Sequence, residues 1–259
     1  MSKFQNVVPF GQRHRASLPK KTRFQQSHSR SREPVTRSRM TVRGRFPSFK
    51  MGRMIDWESQ LERRACYRFE FSPAVLQFRE QPESIRLPID GRLTKYTPDF
   101  ELQMANGETW LVEIKPFDHL QRPEVSNVLS HASDWYLKHG YRFIVITDEE
   151  LIEPDLESNL CFLRHFQTHV LSNDSISHAL HWLKQSSSPT LGELHDYFGD
   201  KVSAFALLCQ QLIHTDLSIF LNSRSQLFLN EDKSHAKLLF LYRTAPAFGL
   251  CSIHNSEDS

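Results

Sequence analysis

Two acids and a base, Asp99, Glu113 and Lys115, lie close enough in the chain to meet in one site. They belong to one stretch, Tyr96 to Pro116, that reads as a β-hairpin. Phe100, Leu102 and Met104 alternate with polar residues, Asn106-Gly107 is a hairpin turn, and Thr109 to Ile114 is rich in β-branched and aromatic residues. Side chains on a strand repeat every two residues, so Glu113 and Lys115 face one way and Ile114 the other. With the chain reversing at Asn106-Gly107, Asp99 falls nearly opposite Glu113 and Lys115. Two carboxylates and one ammonium then converge on a rigid two-stranded platform. That grouping suits phosphodiester cleavage with a hard divalent cation. Mg²⁺ takes oxygen ligands and is commonly held by one or two carboxylates and a substrate phosphate. The ion neutralises developing charge and acidifies a bound water, and a nearby lysine can orient that water or stabilise the transition state. The plainer alternative is a salt-bridged hairpin surface. Pro98-Asp99, the turn and the apolar strands together favour the nuclease reading.

Other elements must hold this platform. Residues 55–70 read as an amphipathic helix, with Ile55, Leu61, Ala65 and Phe69 at helical spacing. Glu58 and Glu62 share a face of it, a pattern that often marks only a solvated stripe. Val75 to Arg79 and Ser84 to Leu87 read as short strands around a turn at Gln81-Pro82. Residues 122–139 form a second helix closed by Gly140, and Tyr141 to Thr147 is a buried strand because its apolar run is continuous. Strand, helix, strand implies a right-handed crossover within a mixed sheet. Asp148, at the end of this strand, could lie near the site, although a helix N-cap suits it better. Lys95 and Tyr96 could reach DNA.

Pro98-Asp99 followed by Glu113-Ile114-Lys115 resembles the pattern of the PD-(D/E)xK nuclease superfamily. Pro47-Ser48-Phe49-Lys50-Met51-Gly52-Arg53, Glu58-Ser59-Gln60-Leu61-Glu62, Phe78-Arg79-Glu80-Gln81-Pro82 and Tyr96-Thr97-Pro98-Asp99-Phe100 follow in order. This arrangement resembles the TnsA endonuclease family, one of two nucleases in heteromeric cut-and-paste transposases. The likeness covers roughly residues 45 to 165 and the remainder only in outline. It implies a restriction-endonuclease-like α/β mixed sheet. It also implies that Glu62, Asp99 and Glu113 are metal ligands for Mg²⁺ or Mn²⁺, with Lys115 positioning or activating the attacking water. Glu58 is the alternative to Glu62, one turn away. The family can carry Gln where Glu113 stands, so the acid here follows the wider superfamily. Gln81 matches a family segment near the site, although a loop glutamine that satisfies backbone groups reads equally well.

Charge is distributed unevenly. The net formal charge is +2, yet residues 1–53 hold 14 Lys and Arg against the single acid Glu33. Such a segment, also rich in Ser, Gln and Pro, buries too little apolar surface to order itself and suits an arm that neutralises DNA phosphates. A tail that merely aids solubility is the alternative. No apolar run reaches membrane-spanning length, and no apolar stretch follows a basic start as a signal peptide requires. Cys66, Cys161, Cys209 and Cys251 show no paired spacing, which fits a reducing cytoplasm; the resemblance implies a bacterial one, at the nucleoid. Cys161, His165 and His169 recur every four residues, but three ligands on one helix face do not close a tetrahedral zinc site.

Four segments are expected: a basic arm over 1–44, a nuclease domain over 45–171, a winged-helix-like domain over 172–253 and a tail over 254–259. In the third, Asn173 or Asp174 caps a helix to Lys184, Thr190 caps Leu191 to Phe198, and Lys201 to His214 forms a third helix. Leu217 to Leu221 and Gln226 to Leu229 would pair as a hairpin. The third helix is nearly devoid of Arg and Lys, so protein docking suits it better than reading DNA. The resemblance implies a Mg-dependent endodeoxyribonuclease that cuts the 5′ ends of a transposon. A DDE-type transposase, TnsB, would cut the 3′ ends, and an AAA+ ATPase, TnsC, would regulate both. Two alternatives are a restriction or repair nuclease of the same superfamily and a non-catalytic DNA-binding assembly subunit.

Overall fold

A computed structural model describes residues 42–230 and 238–251. The expected basic arm and C-terminal tail lie outside the described residues, apart from residues 42–44. Two compact units divide the described chain, one comprising residues 42–153 and 238–251, the other residues 154–230. The first opens with β1 (Gly44–Ser48) and β2 (Arg53–Trp57), an antiparallel pair in which Phe46 faces Ile55. Ile55 is therefore a strand residue, not the start of a helix. The helix α1 (Gln60–Phe71) begins only after Ser59, whose hydroxyl accepts from the Glu62 N–H. Then come β3 (Val75–Glu80), β4 (Ile85–Ile89) and β5 (Arg92–Tyr96). β4 pairs with β5 around Asp90-Gly91.

The expected hairpin forms as β6 (Phe100–Met104) and β7 (Thr109–Ile114), with Phe100 opposite Val112 and Gln103 opposite Thr109. Gly107, at φ +90°, supplies the left-handed residue this turn needs. A short helix α2 (Phe117–Leu120) leads to α3 (Pro123–Lys138) and then to β8 (Arg142–Ile146). β8 lies parallel to β7, as strand, helix, strand predicts. α4 (Asp148–Leu151) follows, capped by Thr147 rather than by Asp148. The two sheet faces are both covered. Ile55, Phe69, Phe78, Phe100, Val112 and Ile144 form a cluster on the α1 side; Leu87, Leu111, Leu129, Tyr136, Phe143 and Val145 form one on the α3 side. Burial on both sides explains the unbroken apolar run of β8.

The second unit runs from α5 (Pro154–Leu163) through α6 (Asn173–Gln185), α7 (Leu191–Phe198) and α8 (Lys201–Cys209). Ser172, one residue before the expected cap, accepts the Ser175 N–H and closes the start of α6. Thr190 and Glu193 form a capping box on α7. α8 stops at Cys209 instead of reaching His214, because Gln211 turns left-handed and the chain enters β9 (Ile213–His214), paired with β10 (Phe228–Leu229). The hairpin expected between Leu217–Leu221 and Gln226–Leu229 does not form. Asn159 takes that segment instead: its amide donates to the Leu217 and Ile219 carbonyls and its oxygen accepts the Leu221 N–H.

Finally the chain returns to the first unit. β11 (Tyr242–Thr244) pairs with β8, Arg243 lying opposite Val145, and β12 (Gly249–Cys251) pairs with β11. The resulting mixed sheet has the order β12-β11-β8-β7-β6-β3. This corrects the expected boundaries twice. Residues 154–171 cluster with the C-terminal helices, and residues 242–251, expected there, belong to the sheet. The apolar pattern of 142–146 and 242–251 carries no mark of pairing across so long a separation.

Candidate active site

The β6–β7 register, continued by one pair beyond Phe100 and Val112, brings Asp99 across from Glu113. The Ile114 N–H donates to Asp99 Oδ2 at 2.8 Å, which fixes the carboxylate at the mouth of the ladder. Glu113 is buried, and its two oxygens are engaged separately: Lys115 Nζ lies 2.7 Å from Oε1, and the Tyr96 hydroxyl donates to Oε2 at 2.7 Å. Lys115 reaches back along its own strand, as a period of two requires. Tyr96 ends β5 and is itself buried, so it serves Glu113 rather than an exposed DNA surface; Lys95 beside it is exposed.

Glu62 enters from the first turn of α1. Its Oε2 accepts the Glu58 N–H at 2.7 Å and its Oε1 the Ser59 hydroxyl at 3.0 Å, while its own N–H donates to Ser59 Oγ at 3.1 Å. This reciprocal cap holds the glutamate at the helix N-terminus. The opposite end of α1 is held by Lys50, which is buried and donates to the Phe69, Ser72 and Val75 carbonyls at 2.8, 2.9 and 2.6 Å. Glu70 completes that anchor by accepting from the Ser48 hydroxyl and from the Phe49 and Lys50 N–H groups. Neither Lys50 nor Glu70 stood out in the sequence, since an isolated lysine is normally a surface residue.

The electrostatics show that Glu62, Asp99, Glu113 and Lys115 act on one another. Burial pushes the Asp99 carboxyl well above the usual range, and the charges of Glu113 and Glu62 push it further. Burial also raises Glu62, helped by the charges of Glu58 and Glu113. Glu113 raises the Lys115 ammonium above its ordinary value, so that lysine stays charged at neutral pH. Tyr96 is likewise raised, by burial and then by Glu113. Burial and the neighbouring carboxylates thus disfavour the charged forms of Asp99 and Glu62, and a cation bound between them would favour those forms.

Among the described residues no group of three His, Cys, Asp or Glu is arranged to hold a metal ion. The hydrogen bonds explain this for the acids: Glu62 is turned to its helix N-terminus and Glu113 is shared between Lys115 and Tyr96. The donor chemistry nevertheless fits a hard divalent cation. All three acids offer oxygen, two of them are destabilised as anions by burial and then by their neighbours, and the buried amide oxygen of nearby Gln81 has no hydrogen-bond partner.

Asp148, expected as a cap, instead accepts the Phe117 N–H at 2.6 Å and so pins the backbone two residues past Lys115. Lys115 N–H donates to the Ile146 carbonyl at 3.1 Å, extending the parallel ladder to the lysine itself. Arg243, from the returning strand, donates to Glu149 and, at 2.9 Å, to Glu150, and its guanidinium lies 4.5 Å from the centre of the Phe117 ring. The sequence contained no signal for Arg243, whose partners are nearly a hundred residues away.

Residues 72–148 match the family described as TnsA-like endonuclease N terminal. The matched segment contains Gln81, Tyr96, Asp99, Glu113 and Lys115, and Glu62 precedes it. No curated protein matches the chain.

Proposed function

Carrying a TnsA-like endonuclease N-terminal segment over residues 72–148, the chain is, we propose, a metal-dependent endodeoxyribonuclease that cuts the 5′ ends of a transposon. The observation that carries this reading is the convergence of Asp99, Glu113 and Lys115 at the end of one ladder, with Glu62 supplied by α1. Asp99 and Glu113, joined by Glu62, would hold Mg²⁺ or Mn²⁺. When bound, the cation supplies charge neutralisation at the phosphate and acidifies water. Lys115 remains an ammonium, so it acts by donating hydrogen bonds and stabilising negative charge rather than by removing a proton. Tyr96 orients Glu113 by bonding one oxygen and leaving the other to Lys115.

In this reading the helical unit is winged-helix-like and serves docking to transposition proteins, a DDE-type transposase and an ATPase among them. Two features weigh against DNA as the ligand of this unit. Every residue of α8 from Ser203 to Cys209 is buried, so the helix is a core element and presents no recognition face. Residues 154–230 also hold seven Asp and Glu against four Lys and Arg, the wrong sign for a phosphate backbone.

A strand-resolved cleavage assay on end-labelled element DNA tests the proposal, with Mg²⁺ and the partner transposase present. Asp99→Ala and Lys115→Ala should each abolish 5′-strand cuts while 3′ cuts and complex assembly persist. Unchanged 5′ cutting in both variants would sink the active-site assignment and leave an assembly subunit.

A further inference from the structure

Gln81 carries two costs at one position. Its φ is +42°, in the left-handed region that non-glycine residues avoid at about 1–2 kcal/mol. The following residue is Pro82, which by itself drives the preceding residue toward extended backbone. The residue is also only 7% exposed, and its Oε1 has no hydrogen-bond partner. The other left-handed residue in this part of the chain, Asp90, needs no such account, because Asp90-Gly91 is an ordinary hairpin turn.

What compels the conformation is visible. Glu80, the last residue of β3, is held by a two-pronged bond from Arg53, at 2.9 and 2.6 Å, and accepts the Asp56 N–H at 3.3 Å. One residue on, the Gln81 N–H donates to the Asp99 carbonyl at 2.8 Å. Gln81 is thus fastened by its backbone directly beside Asp99 while its amide goes unpaired. Strain that the surroundings over-determine, next to a reactive carboxylate, marks a functional position rather than a tolerated defect.

The chemistry of the orphan atom narrows its partner. With Oε1 turned inward the orphan atom is an acceptor, so in this amide orientation a phosphate oxygen cannot satisfy it. A divalent cation or a water in its hydration shell can. We infer that the Gln81 amide completes the divalent-cation site built on Asp99 and Glu113, accepting a hydrogen bond from the cation's water or binding the ion itself. This rests on the nuclease reading above.

The test uses the full-length chain and Mn²⁺ alone, titrated calorimetrically without DNA. Gln81→Gly keeps the N–H to Asp99 and relieves the strain while removing the amide. It should weaken Mn²⁺ binding about tenfold, the loss of one good polar contact, with the melting temperature of the metal-free chain unchanged or raised. Gln81→Glu should tighten binding. Asp99→Ala should abolish it. If Asp99→Ala abolishes binding and Gln81→Gly stays within twofold of wild type, the inference falls and the nuclease reading stands. If wild type binds no Mn²⁺, or Asp99→Ala binds it unchanged, both fall.

Discussion

Replacing Lys50 with Met should destabilise the first unit by about 3 kcal/mol. In the folded chain the ammonium makes three bonds to the Phe69, Ser72 and Val75 carbonyls. Phe69 has no substitute donor within its helix, because the residue four positions on is Pro73. Ser72 keeps the Val75 N–H. Bonds from a charged donor contribute roughly 1.5–3 kcal/mol each, so three amount to about 4–9 kcal/mol. Against this stands the cost of burying the ammonium, which lowers its pKa from 10.5 to about 8 even though Glu70 opposes the shift. A shift of that size corresponds to about 3 kcal/mol, which Met would recover. The carbonyls outweigh the desolvation.

Urea unfolding of wild type and Lys50→Met at pH 7 measures the difference, and its pH dependence supplies a second reading. The folded pKa lies below the unfolded one, so between about pH 8 and 10.5 the unfolded chain binds more protons. Wild-type stability should therefore rise with pH relative to the variant across that window, approaching about 3 kcal/mol in all. A neutral or stabilising Lys50→Met, or a flat difference from pH 8 to 10.5, would refute the reasoning.

Two further outcomes concern the site itself. Tyr96→Phe removes the donor to Glu113 Oε2. It should cost about 1–3 kcal/mol of stability and lower kcat by about tenfold with little change in KM, read from single-turnover and steady-state cleavage. Asp99→Asn keeps an acceptor for the Ile114 N–H and removes a charge that burial, and then Glu113 and Glu62, disfavour. The variant should melt higher than wild type at neutral pH while failing to cut. A raised folded pKa confers stability at low pH that is lost as pH rises through it, so the gap between variant and wild type should widen with rising pH. Equal melting temperatures at neutral and acid pH would show that neither burial nor Glu113 and Glu62 disfavour the Asp99 carboxylate.

Local signals in the sequence carried the site further than they carried the sheet. The β6–β7 hairpin and the facing of Asp99, Glu113 and Lys115 follow from a turn dipeptide and a period of two, and both are written within some twenty residues. Glu62 is different: spacing placed it on a helix, but only the likeness to a family singled it out from Glu58. Ile55 was misplaced because apolar residues at 55, 61, 65 and 69 fit a helical stripe, while Ser59, the true start, carries its signal in hydrogen bonds to Glu62. Partners distant in the chain left no trace. Lys50 beneath α1, Arg53 on Glu80 and Arg243 on Glu150 are each ordinary residues until the fold brings an acceptor to them. In the helical unit, Thr190 was legible as a cap, yet Asn159 displaced the expected hairpin by satisfying its carbonyls from a separate helix.

The return of β11 to β8 has a consequence for how the chain is made. Residues Phe143 to Ile146 are all buried, and one edge of their strand stays open until Tyr242 to Thr244 have been synthesised. At translation rates of about 5–20 residues per second, that interval lasts about 5–20 s. During it the ribosome-bound chain presents an apolar, unpaired strand edge, the kind of surface that seeks pairing with other chains. A message truncated after the helical unit would thus yield more than a protein lacking its last strands. It would leave the edge of the six-stranded sheet permanently open, and the product should partition to chaperones and aggregates rather than accumulate in folded form.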